Sequence, residues 1–355
     1  MKGECLYYNG MIYTADSREN FVNALTVKDG MFLYAGNENS ARNYLGSKAR
    51  TIDLKGKTAL PGFIDSHLHA PGRILSDLYN ISLYEAEDRD AILAIVGKFI
   101  KEHPDLPVYY GEGFSLGHFN GEEVSRGPRK EQLDMICPHK PVVIYSSDCH
   151  LAWLNSCALQ TFGINSQTAV PAGGVIEIDP CSGALWGTLK EAAMRLIPEQ
   201  QFTQSQQAAA LGRFQNYLHS LGYTGILSIS IASMPPLQQF HDLDLQGGLK
   251  MHVASSVTID PEVDPVESGK RLIELGRRYD SENHKLRTAK FFTDGVVEGA
   301  TAYLLEPYSA AAGKGLSYRG EFLWEEDKLA SAFKEMNRAG FQVHVHSIGD
   351  ASTKL

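Results

Sequence analysis

The sequence predicts an α/β fold: a β/α barrel, incomplete within this chain, that follows the N-terminal part of a small β-sandwich. Three observations lead there. At 355 residues the chain has room for about two domains, or for one large barrel with an addition. From Thr58 onward, apolar strand-like runs alternate with helical patterns, the signature of β/α units. Ahead of Thr58 the runs are short, β-rich and separated by turn signals.

Residues 1–57 hold strand candidates at Leu6–Tyr13, Ala24–Lys28, Met31–Ala35 and Arg50–Leu54. Asn9-Gly10, Asp29-Gly30 and Lys55-Gly56-Lys57 fit tight turns, where glycine tolerates positive φ. The piece is short for an independent fold and needs further strands to close it. Over 58–355, strands are predicted at Ala59–Ile64, Val108–Gly111, Val142–Tyr145, Thr224–Ile229, Lys250–Val257, Arg287–Phe292 and Phe341–His346. Helices are predicted at Arg89–Glu102, Gln204–Leu221, Pro265–Tyr279 and Glu325–Ala339. In the last of these Leu329, Phe333 and Met336 recur at i, i+4 and i+7, a core-facing stripe. Residues 113–199 fit simple β/α alternation poorly: they are rich in Gly, Pro, Cys and His, and GGVIEIDPCSGALWG reads as a β-hairpin. An insertion over the barrel mouth is expected there, on the face where barrel active sites lie.

Hydrophobic residues make up 43% and charged residues 21%, an ordinary balance for a globular protein with a sizeable core. A net charge of -9 with scattered basic residues argues against a nucleic-acid surface, which needs clustered Lys and Arg. The five cysteines (Cys5, Cys137, Cys149, Cys157 and Cys181) are odd in number and show no C-x-x-C spacing. That fits free thiols in a reducing compartment better than a disulfide framework, and it disfavours Cys-ligated zinc. No apolar stretch approaches the ~18–20 residues that span a bilayer, and the amino terminus lacks the apolar core of a signal peptide. A cytoplasmic protein without membrane or nucleic-acid partners is the expectation; a homo-oligomer is compatible with the sequence.

The most informative stretch is Leu60-Pro61-Gly62-Phe63-Ile64-Asp65-Ser66-His67-Leu68-His69. An apolar run ends in Asp-x-His-x-His, and on a strand residues i and i+2 point to the same face. Two neutral imidazoles converging on one point are a usual start for a zinc site. His344 and His346 repeat the spacing on a second predicted strand. Lys290 ends a third, where a bare ammonium would be costly to bury. Two readings are open for this lysine: an ion pair with Asp294, or a chemical modification that removes its charge.

Four segments in chain order resemble the amidohydrolase superfamily of metal-dependent hydrolases, in particular its YtcJ-like and N-substituted formamide deformylase group. They are LPGFIDSHLHA; Asp148-Cys149-His150-Leu151-Ala152-Trp153-Leu154-Asn155-Ser156 with Gly173-Gly174 after it; Ala289 to Gly295 followed by Ala302 to Tyr308; and Val345-His346-Ser347-Ile348-Gly349-Asp350-Ala351. Cys149 stands where that group usually has Gly. The resemblance implies a (β/α)8 TIM-like barrel and hydrolysis of a non-peptide C–N bond in a small-molecule amide or formamide. It implies one or two divalent metal ions, Zn²⁺ first, with His67, His69, Lys290 and His346 as ligands. Members of the superfamily carboxylate a strand lysine at the position of Lys290, and the carbamate bridges two cations. His150 becomes a candidate for binding the substrate carbonyl or oxyanion, or else a loop histidine bonded to backbone. Asp294 either orients the metal-bound water or a neighbouring ligand, or begins a turn with Gly295. Asp65 either fixes a ligand tautomer or caps a turn, and His344 is expected as a core histidine or as support behind the ligands. Trp153, Phe114 and Tyr303 line a pocket or simply pack.

The group's pattern usually continues with a further strand His in an E-H motif and a strand Asp that acts as general base. Neither can be assigned here, which leads to the expectation of a truncated chain with little turnover. Two alternatives stay open: a deaminase of the same superfamily, and a truncated, non-catalytic chain.

Overall fold

The computed structural model describes residues 3–17, 20–171, 174–229, 236–297, 300–309 and 315–355. They form three sheets. The first holds Met31–Gly36, Phe21–Lys28, Glu4–Tyr13 and Arg50–Asp53 in that order, with Thr58–Ala59 also paired to Glu4–Tyr13. Asp29 and Gly30 make its tight hairpin turn, both at positive φ (49° and 85°), with Lys28 paired to Met31; this is the geometry Asp-Gly favours. Leu6, Ala24 and Ala41 are buried on one side. A second, facing sheet, which a sandwich requires, is not among the described residues.

The second sheet is parallel throughout. Its order is Phe63–Leu68, Tyr223–Ser228, His252–Thr258, His284–Phe292 and Gln342–His346. Helices Gln204–Ser220, Pro265–Tyr279 and Glu326–Arg338 accompany it, within one residue of the expected spans. Their starts are written in side chains. Thr203 and Gln206 form a reciprocal capping box, and Asp264 accepts from Val266 and Glu267 ahead of Pro265, satisfying N–H groups that a helix start leaves unpaired. Leu272, Leu286, Ala289, Phe291, Ala332 and Met336 build the core between strands and helices. Five strands make a half barrel where the resemblance implies eight in a closed ring.

The third sheet lies in the chain between the first and second parallel strands. It runs Gly174–Ile178, Leu185–Glu191, Leu151–Leu154, Val142–Ser146, Tyr109–Phe114, Ile81–Ser82. The run near Val108, predicted ahead of the expected insertion, therefore belongs here, together with the run near Val142 that falls within it. Helix Arg89–Glu102 precedes them, capped by Asp88, so locally they read like any β/α unit. Periodicity reports that a run is a strand; it does not report which sheet the strand joins. The sheet begins at Ile81, ahead of residue 113, and the hairpin expected in GGVIEIDPCSGALWG is its antiparallel Gly174–Ile178 and Leu185–Glu191 pair. Gly173 lies outside the described residues.

Candidate metal centre

The first parallel strand starts at Phe63 because Pro61 offers no N–H and Gly62 must pass close to its neighbour. A Cβ on Gly62 would lie 2.1 Å from Thr224 Oγ1. The strand runs to Leu68, later than the expected Ala59–Ile64, so His67 is on it and His69 is one residue past its end. The His67 and His69 rings stand 5.5 Å apart, nearly perpendicular. His69 Nδ1 is 2.6 Å from the Ile229 carbonyl. A carbonyl only accepts, so Nδ1 carries the proton and Nε2 keeps its lone pair, the usual device for aiming a metal-binding imidazole.

The other edge of the sheet contributes the rest. Lys290 pairs in register with His344, and Phe292 with His346. The His344 ring is 5.0 Å from the His67 ring. His346 Nε2–H donates to the Gly295 carbonyl at 3.1 Å, which leaves Nδ1 free. Burial pushes the His67 imidazole below its ordinary value, aided by the charges of Lys290, His69 and His346 and opposed by Asp65. His344 is pushed down by burial, then by Lys290 and His67. Both rings are thus biased toward the neutral form that binds metal.

Lys290 is 2% exposed. Its ammonium lies 4.8 Å over the Phe292 ring, and no carboxylate among the described residues forms an ion pair with it. Burial pushes its pKa down. The alternative of an ion pair with Asp294 therefore fails. The Asp294 carboxylate, 1% exposed, accepts three backbone N–H groups instead: Tyr303 at 2.9 Å, Ile348 at 3.0 Å and Gly349 at 2.7 Å. It ties the loop after one strand to the turn after the next, and so braces the backbone on this side of the sheet.

Among the described residues, no three His, Cys, Asp or Glu side chains converge on one point. The donors nevertheless fit a divalent cation in kind. His69 and His346 have one nitrogen committed and one free, His67 is biased neutral, and a buried lysine without a counter-ion stands beside them.

The remaining candidates fall elsewhere. Asp65 Oδ1 accepts the His67 backbone N–H at 2.9 Å, so it braces its own strand end. Most of the Asp148–Ser156 motif is architectural. Trp153 is fully buried and donates to the Arg129 carbonyl, packing edge-to-face on Phe114 and Phe119. Asn155 caps the next helix and holds the Cys137 and Lys140 carbonyls. Tyr303 packs 5.9 Å from Phe322. What the motif leaves for chemistry is His150, whose Nδ1 faces the Glu191 carboxylate at 3.0 Å. Glu191 raises the His150 pKa above its ordinary value. Glu191 escaped the sequence reading because it carries no motif, whereas His344, expected in the core or as support behind the ligands, has its ring 5.0 Å from that of His67.

Comparison with known proteins bears on the family and the fold. Residues 50–355 match the Amidohydrolase family. The chain is 28% identical over 353 residues to the exoenzymes regulatory protein AepA of Pectobacterium carotovorum subsp. carotovorum, covering 97% of this chain and 74% of that one. It is 26% identical to the putative amidohydrolase YtcJ of Bacillus subtilis (strain 168), across 98% of this chain and 64% of the relative. To the N-substituted formamide deformylase of Arthrobacter pascens it is 31% identical, over 55% of this chain and 35% of the enzyme. An uncharacterized metal-dependent hydrolase from Pyrococcus horikoshii ot3 superposes with a TM-score of 0.74 at 25% identity, covering 99% of this chain and 66% of that structure. Thus the chain spans about two thirds of the length of these fuller matches, and on the strength of the match over residues 50–355 it belongs to the amidohydrolase family.

Proposed function

We propose that this chain carries the metal-binding half of a hydrolase that cleaves a non-peptide C–N bond in a small-molecule amide or formamide. The observation that supports this most is the grouping around His67: His69, His344 and His346, with buried Lys290 among them. His67, His69, Lys290 and His346 are the residues that would hold one or two divalent cations, zinc first. Such a cation supplies a polarised carbonyl and a water whose pKa falls toward ~7.

The chain's own residues prepare the site. The Ile229 and Gly295 carbonyls fix the tautomers of His69 and His346. Burial favours the neutral amine of Lys290, the form whose nitrogen adds to CO₂; a carbamate forms and one proton leaves to solvent. That converts a costly buried cation into an anion beside the histidines. His150 sits on the inserted sheet as a donor for the substrate carbonyl oxygen. Cys5, Cys137, Cys149, Cys157 and Cys181 are free thiols, in keeping with a cytoplasmic setting. Among the described residues no helix is long and apolar enough to cross a membrane.

The deciding experiment offers the purified chain a panel of N-acyl and N-formyl amines with and without added zinc. The reading predicts slow but measurable release of the amine and the carboxylate, lost on chelation and in His67→Ala/His69→Ala. Release of ammonia from an amidine ring in place of amide cleavage would favour a deaminase. No zinc-dependent turnover of any panel member would remove the reading.

A further inference from the structure

Two residues in the inserted sheet hold backbone angles that L side chains rarely adopt. Cys149 has φ 61°, and Glu191 has φ 52° with ψ -129°. Each such residue costs on the order of 1–3 kcal/mol. Both serve one side chain. The turn at Cys149 brings the His150 carbonyl to the Glu191 N–H at 3.0 Å. The Glu191 carboxylate then takes His150 Nδ1–H at 3.0 and 3.1 Å, while Asp148 Oδ1 fixes the His150 amide at 3.1 Å. The two side chains are 46% and 55% exposed. An exposed ion pair contributes about 0–1 kcal/mol, less than the strain that creates this one. Stability therefore does not account for the arrangement.

The Cys149 thiol is raised by burial and by the charge of Glu112. Glu112 lies 3.6 Å from Arg73 Nε, and the Arg73 guanidinium stacks 3.5 Å over the Tyr84 ring. Arg73 belongs to the loop that leaves His69. Cys149, next to His150, and Arg73, in the loop that leaves His69, thus share Glu112 as an electrostatic neighbour.

We propose that Glu191 is a positioning residue: its carboxylate accepts His150 Nδ1–H and stabilises the doubly protonated ring, so that Nε2–H is presented to the acyl oxygen of an amide or formamide as negative charge develops there. This rests on the hydrolase reading above. Glu191 also favours the imidazolium, which keeps a proton on Nε2 for that hydrogen bond.

The test has two arms. In the first, the His150 imidazole of the full chain is titrated by ¹⁵N NMR in wild type, Glu191→Gln and Glu191→Asp. His150 should titrate lower in the Gln variant and recover in the Asp variant; identical titration in all three would overturn the pairing. In the second, hydrolysis of N-benzylformamide is measured. Glu191→Gln should lower kcat on the order of 10- to 100-fold with KM nearly unchanged, a part of the 10²–10³ that an oxyanion donor supplies. Unchanged kcat in that variant would overturn the role. A wild-type chain without turnover would count against the hydrolase reading and against the substrate contact, while the titration still decides the pairing.

Discussion

Replacing Asp294 with Ala tests whether this buried carboxylate is a brace. Its loss strands three backbone N–H groups that now donate to it at 2.7 to 3.0 Å. An unpaired buried donor costs about 1–3 kcal/mol. The Gly349 N–H is buried and is assigned about 2 kcal/mol, and the part-buried Tyr303 and Ile348 groups about 1 kcal/mol each, giving about 4 kcal/mol in all. The turn has no slack to find new partners, since a Cβ on Gly349 would already lie 1.9 Å from the Tyr303 carbonyl oxygen. Against a total stability of about 5–15 kcal/mol, such a loss approaches unfolding. Asp294→Asn, with its oxygen in the Oδ2 position, keeps the Tyr303 and Gly349 bonds and turns its NH₂ against the Ile348 N–H, so about half the loss is expected. Urea unfolding of both variants against wild type reads the difference. A shift below about 1 kcal/mol in Asp294→Ala, outside the range for a stranded buried donor, would refute the reasoning. Turnover lost at unchanged stability would return Asp294 to the reaction.

Lys290→Ala should lose both zinc affinity and turnover, with partial recovery of turnover on adding acetate or propionate; no recovery, together with an unmodified Lys290 mass in zinc-loaded wild type, would remove the carbamate. His284 is fully buried between the Tyr279 carbonyl and Ser255 Oγ, and burial holds its pKa below the ordinary 6.5. Its folded value is depressed, so its contribution to stability is complete above pH 6.5 and is lost as pH falls through the folded value. His284→Gln should accordingly flatten the decline in urea midpoint below pH 6.5, and an unchanged slope would contradict this. Cys149→Gly removes a left-handed strain of about 1–2 kcal/mol and restores about 0.4–1 kcal/mol of unfolded-state entropy. Those two ranges leave a net gain of about 0–1.6 kcal/mol, and a lower urea midpoint would count against it.

Helices were legible because their ends are chemical. Asp88, Thr203 and Asp264 cap the three longest helices, and an apolar stripe fills each span. Strand existence was legible too, but sheet membership was not, as the run near Val108 shows: its pairing with Ile81–Ser82 is long-range, and no local period encodes it. In the site, H-x-H spacing placed His67 and His69 correctly on one strand end. The same rule applied to His344 and His346 put both on the facing strand, and the structure then brought His344, the residue expected to lie deeper, against His67. A motif residue that braces backbone, as Asp294 and Asn155 do, looks in sequence like one that does chemistry. Glu191 was invisible because its pairing with His150 depends on two unusual φ angles.

The central claim is that His67, His69, Lys290 and His346 hold a divalent cation. Anomalous diffraction at the zinc edge, from crystals of the chain grown with Zn²⁺, tests it most directly. The account predicts a peak about 2.0–2.1 Å from His69 Nε2 and from a His67 ring nitrogen, a peak on His346 Nδ1 or a shared Lys290 carbamate oxygen, and no peak in His67→Ala/His69→Ala crystals. A wild-type map without a peak near His67, or a peak that persists in the double variant, would contradict it.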